Sequence, residues 1–314
     1  MKRFEYGGVL NALGKVAFAS VVGLVFLSRE VFAFNQPPVN LSITTFLDAG
    51  APPGLSYVNY SIFTEGREAV DNNGDVIPGN AHANVLALAH QFVYISNAKL
   101  LGANLSMDVI LTVSAATVKG SLGPMPIQAN TAGLGDMIVG PTLVWNGKML
   151  LGSPVFHRLE LQTTLPTGKY DKNAGVNPGF NLTTFNPYYS FVWMFRQKWE
   201  TSWRFYYAMH STNDDSPFGK VKPGNAFHAN YAVSRELLPF LRLGVAGYYF
   251  QQLSEDKING VTATNSKERV MAVGPGLVLF SPGGNLFALS HPVEFGVKNR
   301  FKGSRTTLQI ISKF

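Results

Sequence analysis

The 314-residue chain has no cysteine, 14% charged residues and a formal net charge of +7. Without thiols there is no disulfide framework and no Cys-ligated metal. The basic residues are scattered, with no run among them, so there is no nucleic-acid footprint. A charge content below the ~25% typical of soluble domains, with 12% aromatics, suits a protein that shows lipid on one face.

Lys2, Arg3 and Lys15 precede an apolar run from Val16 to Leu27, and Val31-Phe32-Ala33 offers the residues a signal peptidase inspects. This predicts a secretory signal over residues 1–33. The apolar run is too short for a spanning helix, which needs about 20 residues. Residues 34–54 hold Pro37, Pro38, Pro52 and Pro53. They are expected to form a periplasmic leader, either disordered or tucked into a lumen as a plug. Residues 55–314 form the remaining domain.

That domain reads as twelve strands: 55–66, 83–95, 102–118, 133–145, 152–165, 182–195, 199–210, 225–234, 240–253, 268–280, 285–298 and 304–314. Most exceed the five or six residues usual in globular sheets and match the 9–11 needed to cross a bilayer at a tilt. Connections alternate. Those at 67–82, 119–132, 166–181, 211–224 and 254–267 are long; those at 96–101, 146–151, 196–198, 235–239 and 281–284 are short. Long outer loops and short periplasmic turns mark outer-membrane barrels, and backbone in lipid must leave no open edge. The expected fold is an all-β, antiparallel, up-and-down transmembrane barrel with periplasmic termini. The last segment alternates apolar Leu308, Ile310 and Phe314 against Arg305, Thr307 and Gln309. A closing strand ending on an aromatic resembles the end read by the barrel-assembly machinery, an expected partner beside lipid and lipopolysaccharide.

Alternation also assigns faces. In 199–210, Trp199, Thr201, Trp203, Phe205, Tyr207 and Met209 oppose Glu200, Ser202, Arg204, Tyr206, Ala208 and His210. Leu105, Met107 and Val109 oppose Asp108, and Leu159 and Leu161 oppose Glu160. In 225–234, Phe227, Tyr231 and Val233 oppose His228 and Asn230. Strand 83–95 is ambiguous, because Leu86, Leu88 and Phe92 share a face with Asn84 and His90. An ionisable group at membrane depth is costly unless it faces water or a partner. Asp108, Glu160, Glu200, Arg204, Glu294 and also Arg158 are therefore candidate lumen groups, forming either a salt-bridged plug or the lining of a path. His228, Asn230 and Tyr248 join them as candidate solute contacts. Tyr57, Tyr60, Tyr94, Trp145, Tyr188, Tyr189, Trp193, Trp199, Tyr248 and Tyr249 are expected near the interfaces as a belt.

Four stretches carry a resemblance: Gly133-Leu-Gly-Asp136 running on to Val139-Gly-Pro-Thr-Leu-Val-Trp145, Leu165-Pro-Thr-Gly-Lys-Tyr-Asp171, Gly247-Tyr-Tyr-Phe-Gln-Gln-Leu253 and Glu294-Phe-Gly-Val-Lys-Asn299. In this order they resemble the "MetA-pathway of phenol degradation" family of Gram-negative outer-membrane proteins, over roughly 55–314. The resemblance implies a channel or transporter for hydrophobic or aromatic compounds. On the residues alone, glycines at 133, 135 and 140 suit close strand approach, and Pro141 should mark a bulge or distort its ladder.

No enzyme is expected. The residues two after each histidine are Asn84, Phe92, Leu159, Thr212, Asn230 and Val293. None is the serine found two positions beyond the histidine in barrel lipases. Asp71-Asn-Asn-Gly-Asp75 lacks the spacing of a calcium hand. No metal or cofactor is expected. The function expected is passive passage of small, hydrophobic or aromatic solutes. The alternatives are a structural or adhesive barrel and, behind it, a lipase-type hydrolase.

Overall fold

The computed structural model describes residues 40–314; the signal segment expected over 1–33 lies outside them. Twelve antiparallel strands close on themselves. They are β1 (Gly54–Val70), β2 (His82–Leu100), β3 (Ala103–Leu122), β4 (Met125–Leu134 and Met137–Leu150) and β5 (Ser153–Glu160 and Thr163–Leu165). There follow β6 (Thr184–Phe185 and Tyr188–Phe195), β7 (Trp199–His210), β8 (Ala226–Leu238), β9 (Leu241–Gln252), β10 (Arg269–Phe280), β11 (Leu286–Ser290 and Val293–Lys298) and β12 (Arg300–Lys313). Each pairs with its sequence neighbour, and β1 pairs with β12 from Ser56↔Lys313 to Val70↔Arg300. Every backbone edge at membrane depth is thereby satisfied.

The seam contains the tightest backbone approach. A Cβ on Gly303 would lie 1.6 Å from the Glu65 carbonyl oxygen. That neighbour is main chain and cannot move without breaking the ladder. Gly303→Ala is expected to sharply lower the yield of closed barrel, read as loss of the compact, heat-modifiable species on cold gel electrophoresis. Normal yield would show that the seam tolerates a shift.

Four strands are interrupted, at Gly135-Asp136, Leu161-Gln162, Asn186-Pro187 and His291-Pro292. Pro187 and Pro292 lack a ladder donor. Pro141 itself sits in an unbroken segment of β4; the distortion falls on its partner, where the Leu161 amide donates to the Pro141 carbonyl at 3.0 Å just beyond the end of the β5 ladder. The break in β4 ties two of the sequence words together. Asp136 accepts amides from Gly168 at 2.8 Å and Phe180 at 2.9 Å. A Cβ on Gly168 would stand 2.7 Å from the Gly135 carbonyl carbon. The glycines are there because two backbones touch.

The short turns are tight. Leu101-Gly102, Leu151-Gly152 and Arg196-Gln197 all take positive φ at both positions, as the hairpin turns that match strand twist require. The long connections correct the expectation of irregular loops. Residues 119–132 are mostly strand, since β3 and β4 continue as a hairpin turning at Gly123-Pro124. The loops after β7 and β9 fold together into a four-stranded sheet of Asn213–Ser216, Gly219–Lys222, Lys257–Ile258 and Val261–Thr262. Lys172 of the loop after β5 reaches Asp215 in this cap at 2.8 Å. The hydrogen bond and charge of Asp215 hold the ammonium above the usual lysine range.

Strand parity settles the faces. Leu86, Phe92, Met107, Leu111, Tyr189, Leu243, Val245 and Phe295 are exposed on the outer wall. The ambiguous β2 turns His90 outward with Leu86 and Phe92; its ring nitrogen is satisfied by the Tyr57 hydroxyl at 2.7 Å. Three residues expected in the interfacial belt are not there. Tyr60, Tyr188 and Tyr248 are buried inside the barrel, because each shares the parity of the inward polar residues on its own strand.

Candidate functional site

The interior is organised in rows, because residues opposite one another on neighbouring strands share a face. One row runs Arg158–Ser190–Arg204–Asn230–Tyr248–Ala272–Glu294 around β5 to β11. The adjacent row toward the long loops runs Thr142–Glu160–Tyr188–Tyr206–His228–Phe250–Val270 around β4 to β10. All eight residues predicted as lumen-lining are buried: Asp108, Glu160, Glu200, Arg204, His228, Asn230, Tyr248 and Glu294. Six of them stand in these two rows. Asp108 lies across from Gly140 on β4, and Glu200 sits lower, toward the short turns.

The acidic groups are each held by neutral donors. Glu160 accepts from Thr142 Oγ1 at 3.1 Å, Gln162 Nε2 at 3.1 Å and the Tyr188 hydroxyl. Asp108 accepts from Gln91, which itself accepts from the Tyr60 hydroxyl at 2.9 Å. Glu200 accepts from Ser202 at 2.7 Å and Ser234 at 2.9 Å, and Arg242 donates to the same Ser234 hydroxyl at 3.0 Å. Glu294 accepts from the Tyr248 hydroxyl at 2.6 Å and the Gly303 amide at 2.9 Å, with Arg300 at 3.8 Å. Charged acceptors in a water-poor interior gain most from such bonds.

The aromatic row is a stack. Tyr188 and Tyr206 have centroids 5.0 Å apart, Tyr206 and His228 4.1 Å apart at 11°, and His228 and Phe250 6.2 Å apart. The Arg204 guanidinium lies 4.1 Å from the Tyr188 centroid, within cation–π range.

Residues 40–53 cross this space. Leu41 and Phe46 are fully buried. Asn40 donates to Gln162 at 2.7 Å, the Ser42 amide to Asn230 at 3.0 Å and the Leu47 amide to Ser202 at 3.0 Å. Arg305 of β12 donates to the Leu41 carbonyl at 2.6 Å, and Asn146 to the Ala51 carbonyl at 2.8 Å near the short-turn end. Asp48 is ion-paired with Arg204, which also donates to the Asp48 carbonyl at 3.1 Å. Sequence reasoning missed Asp48, Gln91 and Gln162 as members of this site. Asp48 precedes the first strand, where no periodicity assigns a direction. Tyr206 was marked by parity alone.

Among the described residues no group of three His, Asp or Glu side chains is placed to hold a metal ion. The closed sheet, its apolar outer wall and its polar, aromatic interior define a transmembrane barrel of the outer-membrane class. Within that class the chain belongs to the family described as the MetA-pathway of phenol degradation, whose model matches residues 66–310. It is similar in fold to the COG4313 outer membrane channel from Pseudomonas putida F1, at 16% identity and a TM-score of 0.73, over 85% of this chain and 97% of that one. The β domain of the Bordetella autotransporter BrkA matches at 12% identity and a TM-score of 0.48, over 85% and 100% of the two chains. The CymD monoaromatic hydrocarbon channel matches at 10% identity and a TM-score of 0.42, over 84% and 89%. No curated protein matches the chain.

Proposed function

We propose that this barrel is a passive channel for small hydrophobic or aromatic molecules, stoppered at rest by residues 40–53. The observation that carries the reading is the segment itself. It is seated by the Leu41 and Phe46 side chains in apolar clusters of the inner wall and fastened by hydrogen bonds and one ion pair, polar contacts that water or a solute can replace one by one. Alongside it runs a row of aromatic rings suited to planar, weakly polar solutes. No catalytic step enters the proposal, and the inward carboxylates act by orienting donors and setting selectivity. The long-loop end is the outer one. Phe314, 81% exposed beside the seam with its amide on the Leu55 carbonyl at 3.1 Å, is the element offered to the assembly machinery, with lipid and lipopolysaccharide around the wall.

Apolar solutes cross simple phospholipid bilayers unaided, so the test belongs in an intact outer membrane. Expressing the protein in a Gram-negative host is expected to raise the initial uptake rate of a labelled aromatic hydrocarbon such as toluene. Unchanged uptake by cells shown to hold the folded barrel in that membrane would sink the proposal.

A further inference from the structure

The lumen contains a pair of guanidinium groups arranged more like a receptor than a scaffold. Arg158 and Arg204 sit on either side of Ser190 in one row. With strands about 4.8 Å apart, their Cα atoms are separated by about 10 Å. Between them stands the small side chain of Ser190, whose hydroxyl has no hydrogen-bond partner among the described residues. The Nε atoms of Arg158 and Arg204 are likewise unpartnered among the described residues, although both side chains are more than nine-tenths buried. Buried donors left unsatisfied are costly and call for an explanation.

Nearby carboxylates do not supply it. Glu160, two residues along from Arg158 on the same face, is engaged by Thr142, Gln162 and Tyr188. Asp108 is engaged by Gln91. Among the described residues the carboxylate in ion-pair contact with this pair is Asp48, which binds Arg204 and comes from the stopper rather than the wall. One row above the guanidinium groups stand the Tyr188 and Tyr206 rings, and Thr44 of the stopper approaches the Tyr206 hydroxyl at 3.4 Å.

We propose that Arg158, Ser190 and Arg204, with Tyr188 and Tyr206 above them, form a binding subsite for the carboxylate of a small aromatic acid, and that Asp48 occupies it as a built-in mimic. The incoming acid exchanges its carboxylate for that of Asp48 and loosens the stopper from its charged contact. Its ring then lies along the aromatic row. Two flanking guanidinium groups distinguish an acid from its neutral analogue, because charge-assisted bonds are about twice as strong as neutral ones. This inference rests on the channel reading and gives aromatic acids a preferred site among its solutes, beside neutral hydrocarbons.

The test uses the full chain folded in detergent, with 4-fluorobenzoate and neutral 4-fluorobenzamide followed by fluorine NMR line broadening. Wild-type barrel is expected to bind the acid weakly. Asp48→Asn, which removes the competing carboxylate and keeps the side chain's shape, is expected to bind it at least about tenfold tighter, the equivalent of one charge-assisted bond. Affinity for the benzamide is expected to stay level. Arg204→Gln is expected to abolish the preference for the acid. Arg158→Gln leaves the Asp48–Arg204 pair in place, so it serves if Arg204→Gln fails to fold, and it too is expected to lose most of the preference. Equal affinity of Asp48→Asn for acid and amide, or an undiminished preference in folded Arg158→Gln, overturns the inference. If toluene uptake persists in that case, the channel reading stands without the subsite. If uptake is absent as well, the channel reading has failed first.

Discussion

Deleting residues 40–50 is expected to turn a nearly silent barrel into one that carries a steady ionic current in planar bilayers. Eight strands make a barrel just filled by its own side chains, and about sixteen leave an open aqueous channel. Twelve lie between, so what occupies the centre decides whether there is a pore. Here the centre holds the buried side chains of Leu41 and Phe46 and the main chain around them, fastened to Gln162, Asn230, Ser202 and Arg305. Their removal would leave polar groups facing one another across the gap, and water would enter to satisfy them. The deletion also forfeits the burial of two large apolar side chains, each worth about 1.5–3 kcal/mol, so a lower unfolding midpoint should accompany the gain in current. A trimmed barrel that keeps its heat-modifiable gel mobility and still carries no current would show that the wall side chains close the lumen themselves.

Glu294→Ala is expected to destabilise the barrel by about 3–5 kcal/mol, the range for removing one partner of a buried charged pair. Glu294 joins β9, β11 and β12 through the Tyr248 hydroxyl, its own strand and the Gly303 amide, with Arg300 close by. Truncation strands a phenol, an amide and a guanidinium beside the seam. The Arg300 side chain retains Glu268 at 3.7 Å, which limits the loss. Urea unfolding in detergent, followed by tryptophan fluorescence, reads the shift. Glu294→Gln keeps an acceptor for Tyr248 and should lose distinctly less. Equal losses for the two variants would show that the negative charge, rather than hydrogen bonding, dominates at this position.

Closed architecture was legible because a transmembrane strand must alternate between two solvents, lipid and lumen. The even-numbered residues of β7 declared themselves as Glu200, Arg204 and His210 against Trp203 and Phe205, and the barrel places them accordingly. Register followed from the same parity, so the lumen positions of Asp108, Glu160, Asn230 and Glu294 were readable one strand at a time. Their assembly into rows was not, because a row is a relation between strands set by the stagger of the whole sheet. Aromatic residues misled for a related reason. Tyr60, Tyr188 and Tyr248 lie near tyrosines that do face outward, and tyrosine is at home both at a membrane interface and in a polar interior. Loops were misjudged where Gly, Asn and Pro suggested irregular chain. Residues 119–134 nevertheless extend a hairpin whose inner strands already fix its register. For residues 34–54 a lumen plug and a disordered leader stood as equal alternatives, and the course of the segment was not legible, since an irregular segment takes its shape from the wall it meets.

The stopper's contacts constrain the order in which the molecule can be made. Its anchors are spread over β5, β7, β8 and β12, from Gln162 to Arg305, yet the segment itself immediately precedes β1. The Arg305–Leu41 contact spans 264 residues of sequence, and contacts of such separation form late because the intervening chain must first be organised. During insertion the segment has nothing complete to dock against, and the nascent lumen is solvated. The full set of anchors exists only once β12 is in place beside β1, so sealing is expected to follow closure.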